Sequence, residues 1–280
     1  MSSEVVPEAD EPGVSRERPG DPEVARERPG DFVQSLDRGL AVIRAFDERN
    51  PHLTLSDVAR ITGLTRAAAR RFLHTLVELG YVENDGRQFS LRPRVLELGY
   101  AYLSSLSLPE VANPHLEQLS AAVDESTSVS VLDGDEVVYV ARVATRRIMN
   151  VAISVGTRFP AYVTSMGRVL LAGKSDDWLA GYLASAQMDQ LTPYTITDPE
   201  LLRQELLTVR QQGWVLVDQE LEEGLRSIAA PIRDRSGEVV AGLNISAPLR
   251  RGSSEQIMTE LLPHLLKTAE RITEDLTALR

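Results

Sequence analysis

Between Thr54 and Gly80 the chain places two amphipathic stretches, each opened by a threonine, on either side of Gly63. Few folds accept that pattern. Thr54 and Asp57 have capping-box spacing, which satisfies the orphan amides at a helix start. Leu55, Val58 and Ile61 give the short helix its apolar side, and Gly63 supplies the left-handed residue that ends it. Thr65 caps the next helix, which runs to Leu79 with Ala69, Phe72, Leu73, Leu76 and Leu79 on one face and Gly80 behind it. Upstream, Leu36, Leu40, Val42, Ile43 and Phe46 predict a helix over Ser35 to Asp47, broken at Asn50 and Pro51. Downstream, Tyr81 to Glu83 and Gln88 to Leu91 flank an Asp-Gly turn and predict a two-stranded wing. Together these segments make a winged helix-turn-helix.

The net charge of -11 argues against a nucleic-acid partner until its distribution is considered. Residues 1–30 carry 4 basic and 8 acidic side chains, and residues 31–100 carry 10 and 9. No acid occurs between Asp57 and Glu78, whereas Arg60, Arg66, Arg70 and Arg71 all do. A phosphate backbone responds to charge within a Debye length of ~8–10 Å, so this local excess outweighs the total. On the predicted third helix Arg66, Arg70 and His74 fall at i, i+4 and i+8, with Thr65 beside the first phosphate and Arg71 at the edge. Arginine reads guanine O6 and N7 with paired hydrogen bonds, and Ala67 and Ala68 keep that surface thin. Arg87, in the wing turn, is placed for a phosphate contact, as are Arg92 and Arg94. The expected partner is double-stranded DNA at a palindromic operator, which requires a homodimer or tetramer. Candidate contacts between chains are the Ser35 helix, the Leu96 to Leu106 helix and the distal sheet.

Four segments follow from composition and periodicity. Residues 1–31 form a disordered acidic arm that contains a ten-residue direct repeat, Arg16 to Asp21 recurring as Arg26 to Asp31. Residues 32–92 are the winged domain, 93–108 a linker helix ending before Pro109, and 109–280 an effector domain. In the last, a helix over Val111 to Val123 leads to a hairpin of Thr127 to Leu132 and Glu136 to Val143, then a strand over Met149 to Val155 and a loop from Gly156 to Tyr162. A helix from Ser165 to Leu171, a helix over Pro199 to Gln212, and strands Trp214 to Asp218, Arg226 to Ile232 and Val239 to Ala247 come next, and one helix over 254–279 closes the chain. The fold class is α+β with a mostly antiparallel sheet.

Enzyme chemistry finds little support. Cysteine is absent, which excludes disulfides and thiolate sites, and no nucleophile elbow, Walker loop or dinucleotide fingerprint is present. His52, His74, His115 and His264 lack metal-ligand spacing. Accordingly no catalytic residue, metal or cofactor is expected. The start has no basic, apolar leader and no apolar run reaches membrane-spanning length, so a cytoplasmic location without membrane contact is expected. A metabolite-binding module that signals through protein contacts, without specific DNA binding, is the alternative.

Phe32 to Leu40, the helix pair from Leu55 to Gly80, Gly156 to Pro160, Thr164 to Arg168, and Ala230 to Ile232 with Asn244 to Pro248 together resemble the IclR family of bacterial transcriptional regulators. Val155 to Ala161 followed by Thr164 to Leu171 is most similar to its PcaR/PcaU/PobR branch, which regulates the β-ketoadipate pathway. The resemblance implies a GAF-like effector domain that takes a small organic acid, such as protocatechuate, 4-hydroxybenzoate or β-ketoadipate, at the Ser165 and Met166 turn. It assigns further pocket positions to Val151, Phe159, Asp218, Leu225, Ser227, Asn244 and Ser246. The residue types suit a carboxylate effector: a helix start offers free N–H groups and partial positive charge, and serine and asparagine on alternate strand positions turn polar groups to one side. Arg142, Arg146, Arg147 and Arg158 add cations that could draw an anion in.

Overall fold

A computed structural model describes residues 32–47, 49–99, 107–145 and 153–278. The expected arm, Val151, Arg146, Arg147 and stretch 100–106 of the expected linker lie outside these residues. The chain divides into two units, with the boundary after Val95.

The first unit contains helices α1 (Gln34–Arg44), α2 (Leu55–Thr62) and α3 (Arg66–Glu78) and strands β1 (Val82–Asn84) and β2 (Phe89–Leu91). The Thr54 hydroxyl accepts the Asp57 N–H while the Asp57 carboxylate accepts the Thr54 N–H, closing the capping box. Gly63 then adopts φ 66°, which only glycine takes without strain. The Thr65 hydroxyl accepts the Ala68 N–H at 3.2 Å. In the wing turn Asp85 accepts the N–H groups of Arg87 and Gln88, and Leu53 adds a bridge to Phe89, a pairing with no sequence signal. Val42, Val58, Ala69, Leu73, Leu76, Val82 and Phe89 form the core.

Two expectations need correction here. Helix α1 ends at Arg44 rather than Asp47, because the Asp47 carboxylate accepts the N–H groups of Arg49 and Asn50 and starts an Asx turn. Ile61, expected to be buried, and Leu79, expected on the packed face of α3, are 41% and 51% exposed, and so are Leu36 and Leu40 on α1, at 62% and 44%.

The second unit opens with a helical stretch at 96–99, followed beyond the gap by α4 (Ser107–Val123). The expected break before Pro109 does not occur. First-turn N–H groups have no intrahelical partner, so a proline there costs nothing. Next come β3 (Ser126–Asp133), β4 (Glu136–Val143), β5 (Arg158–Pro160), α5 (Ser165–Ala172), α6 (Asp176–Ser185), α7 (Pro199–Gln212), β6 (Val215–Asp218), β7 (Leu225–Arg233), β8 (Val239–Pro248), α8 (Ser254–Glu260) and α9 (Leu262–Ala278). The six strands form one antiparallel sheet in the order β5-β4-β3-β8-β7-β6, so the fold is α+β as expected.

Three corrections concern this unit. The described edge strand is Arg158–Pro160: of the expected strand Met149 to Val155, residues 149–152 lie outside the described residues and 153–155 are irregular, and Arg158 holds the edge through ion pairs to Glu136 (2.6 Å) and Asp133 (2.8 Å). Helix α6 was not expected. The closing helix is two helices that part at Leu261, where Pro263 cannot donate to the preceding turn.

Strand alternation gives the sheet two apolar faces. Helices α4 and α9 cover one, through Leu116, Leu119, Val129, Ile228, Leu243, Ile245, Leu265 and Ile272. Helices α5, α6 and α7 cover the other, through Val137, Tyr139, Leu170, Leu171, Leu179, Leu202 and Leu206. Two glycines let α5 lie close. A Cβ on Gly167 would fall 2.1 Å from the Ala161 carbonyl oxygen, and one on Gly242 would fall 3.0 Å from the Met166 Cβ.

Candidate DNA interface and effector cleft

In the first unit, Ala69, Leu73 and Leu76 turn into the core, which leaves the opposite side of α3 to solvent. Thr65, Arg66, Arg70, Arg71 and His74 are all exposed there, and Arg87 is exposed at the tip of the wing. Arg70 Nε approaches His74 Nε2 to 3.5 Å, consistent with their shared stripe. Among these six, none has a carboxylate partner among the described residues, so the cations face outward uncompensated. Arg94 is different: its guanidinium donates to the Leu79 carbonyl and stacks 5.5 Å over the Tyr81 ring, which commits it to joining α3 and the wing.

In the second unit, the start of α5 meets the strands. The Thr164 hydroxyl accepts the Gly167 N–H at 3.0 Å, while the helix geometry leaves the Ser165 and Met166 N–H groups without intrahelical partners. Ser165, Met166, Leu225, Ser227, Asn244 and Ser246 line one cleft. Ser165 Oγ lies 2.7 Å from Ser227 Oγ, and Asn244 Nδ2 donates to Ser227 Oγ (2.8 Å) and Ser246 Oγ (3.0 Å). Asn244 Oδ1 is buried and has no hydrogen-bond partner among the described residues.

Two of the expected pocket residues lie elsewhere. On β6 it is Val217 that lines the cleft, so strand alternation turns Asp218 to the opposite face, where it pairs with Arg226 at 2.9 Å and accepts the Ser254 hydroxyl. Phe159 stands behind the wall, edge-on to Tyr139 at 5.9 Å between centroids, and supports the cleft without lining it.

Sequence reasoning missed Tyr139, Val217, Glu220 and Leu221, all of which line the cleft. Burial pushes the Tyr139 hydroxyl up to about 12, so it stays neutral and keeps its proton at physiological pH. Glu220 carries the lip. Arg168, a fully buried side chain one turn into α5, pairs with it at 2.5 Å and also donates from Nε to the Tyr162 carbonyl. The Glu220 carboxylate accepts the Ile196 N–H at 3.0 Å, and the Thr192 and Thr195 hydroxyls donate to the Gln219 and Glu220 carbonyls at 2.7 Å. A lone arginine within the apolar run Val163 to Ala172 was the available signal for such a pair.

A winged helix-turn-helix with an outward basic helix, followed by a separate unit with a polar buried cleft, is the arrangement of a DNA-binding transcriptional regulator. Known proteins give its kind. Residues 35–86 match the IclR helix-turn-helix domain, and residues 100–274 match the C-terminal domain of bacterial IclR transcriptional regulators. The chain belongs to the IclR family.

Among curated relatives it is 49% identical to the Pca regulon regulatory protein of Pseudomonas putida, over 88% of this chain and 84% of that one. It is 37% identical to the p-hydroxybenzoate hydroxylase transcriptional activator of Acinetobacter baylyi, over 86% and 91%. These relatives place it with the PcaR/PcaU/PobR branch. Among solved structures, a transcriptional regulator of Rhodococcus sp. RHA1 shares 61% identity and superposes with a TM-score of 0.80, over 89% of this chain and 100% of that one. An IclR homologue of Microbacterium hydrocarbonoxydans in complex with 4-hydroxybenzoate shares 29% identity, with a TM-score of 0.77, over 87% and 99%.

Proposed function

We propose that this regulator binds a palindromic operator through α3 and the wing, and that a small aromatic-catabolic acid of the β-ketoadipate pathway binds in the α5 cleft and changes operator affinity. The observation that carries the effector reading is Asn244: a buried amide oxygen without a partner among the described residues, beside two N–H groups that a helix start leaves open. Unpaired buried polar atoms are uncommon in finished cores and mark a place where a guest completes the hydrogen bonding. The relatives support the choice of acid, since one activates a p-hydroxybenzoate hydroxylase gene and another is seen with 4-hydroxybenzoate bound.

In the operator complex Thr65 meets a phosphate, Arg66, Arg70 and His74 face base edges, and Arg71 and Arg87 hold the backbone. Arg70→Ala is expected to cost ~1–3 kcal/mol of operator affinity by mobility shift, with acid binding unchanged by calorimetry. Asn244→Leu is expected to reverse that pattern, abolishing acid binding while the operator is bound as before. If acids bind the wild-type protein but leave operator affinity unchanged across a titration, the regulatory reading fails.

One head makes few base contacts, so operator binding requires a second copy. The exposed apolar side of α1, Leu36 and Leu40, with Val33 at its N-cap, is the surface proposed to bury against it. Leu36→Glu with Leu40→Glu is expected to convert cooperative operator binding into weak binding to single half-sites, read by sedimentation and by footprint length.

A further inference from the structure

Arg142 is a cation in an unusual setting. It sits on β4, half-buried, and burial holds its guanidinium below the usual arginine range, with the Tyr139 hydroxyl nearby. Nη1 donates to Ser128 Oγ at 3.0 Å, but Nε is buried and has no partner among the described residues. Arg168, the buried arginine of this face, has its carboxylate at 2.5 Å; Arg142 has none among the described residues. Leaving a buried charged donor unpaired costs more than the average hydrogen bond gains, so chains retain such groups where something else completes them.

The register shows what Arg142 adjoins. Asn244 on β8 pairs with Ser128 on β3, and Ser128 pairs with Arg142 on β4, so the three lie in one row across the sheet. Residues directly opposite in antiparallel strands share a face, which puts all three on the side of α5. The bond to Ser128 holds the guanidinium toward the strand beside the one that carries Asn244, next to the residues that line the cleft and not among them. Ser165 and Ser227 lie one strand further on the other side of Asn244. The row therefore runs from open helix amides, through an unpaired acceptor, to an unpaired cationic donor.

We infer that Arg142 is the second recognition group of the effector cleft, receiving an oxygen at the end of the ligand opposite the one held at the start of α5. This rests on the reading of the cleft as the effector site and adds the residue that selects among acids there. The effector is a small acid with oxygen acceptors at both ends, such as a para-hydroxylated aromatic acid or a dicarboxylate. A simple monoacid leaves the guanidinium Nε unpaired, and a site built to pair a polar group discriminates against the analogue that lacks it.

The test compares 4-hydroxybenzoate with benzoate by calorimetry, on the full chain and its Arg142→Gln variant, with operator binding as the control for folding. The wild-type protein is expected to prefer 4-hydroxybenzoate by roughly 10- to 100-fold, the range of a hydrogen bond to a charged group. The variant is expected to bind the two acids with nearly equal affinity. Retention of the wild-type preference in Arg142→Gln overturns the assignment of Arg142 and leaves the cleft intact. Loss of neither ligand on Asn244→Leu overturns the cleft reading itself, and so does failure of the wild-type protein to bind either acid. Should Arg142→Gln not fold, Arg142→Lys keeps the charge and loses the Nε–H. It is then expected to reduce the preference at least several-fold, and an unaltered preference counts against the proposal.

Discussion

Gly167→Ala is expected to destabilise the effector domain by ~3 kcal/mol or more, because the new methyl has no room among backbone atoms. Its Cβ would lie 2.1 Å from the Ala161 carbonyl oxygen and 2.5 Å from the Ala161 Cα. Backbone does not rotate aside as a long side chain does. Ala161 is also held in place, because its N–H donates to the Asp135 carbonyl and its own carbonyl accepts the Thr164 N–H. Relief therefore requires α5 to move away from the turn at 161–163, displacing Ser165 and Met166 in the cleft. Urea unfolding followed by circular dichroism measures the loss. Gly181→Ala is the control: it lies in helix α6 with nothing within 4 Å of the added carbon, and alanine is expected to stabilise that helix by ~0.5–1 kcal/mol. Equal stability of the two variants would refute the close-approach argument.

Glu220→Gln is the second large effect, expected to cost ~3–5 kcal/mol. The carboxylate is the charge partner of Arg168, whose side chain is 1% exposed, and the amide leaves that cation buried and unpaired. Glu205 lies 3.9 Å away and is one-third exposed, too far and too well solvated to substitute. Removing both charges together, in Arg168→Met with Glu220→Gln, is expected to recover much of the loss, since an apolar pair avoids the desolvation of both ions. A double-mutant cycle on unfolding midpoints reads the coupling, and strictly additive losses would contradict it. The acid affinity of Glu220→Gln is expected to fall as well, because the same carboxylate anchors Ile196 and the lip at 219–221.

The local grammar of the chain was readable because its signals are short-range. Thr54, Gly63, Thr65 and the turn 84–87 each satisfy a neighbour within four residues, and all of them appear as expected. Burial was harder to read. Helical spacing identified Leu36 and Leu40 as an apolar stripe but could not say whether this chain covers it, and within this chain it stays open. Strand phase was harder still. Val217 and Asp218 are adjacent, alternation assigns them to opposite faces, and only the pairing of β6 with β7 decides which one enters the cleft. Tyr139 and Glu220 were out of reach for another reason: they stand some eighty residues apart and meet through the sheet order, which no local pattern encodes.

The cleft holds about 20 Å³ of free space, room for a single water molecule. A benzene ring with its substituents is larger, so on the proposed effector reading the acid enters when α5, the strands and the lip part. Affinity measured at equilibrium is then intrinsic affinity scaled by the fraction of time the walls stand apart. It follows that trimming an interior side chain, as in Met166→Ala, can tighten the grip on a bulky acid while weakening the fold. The regulator's sensitivity is set as much by the stiffness of its own interior as by any contact it makes with its signal.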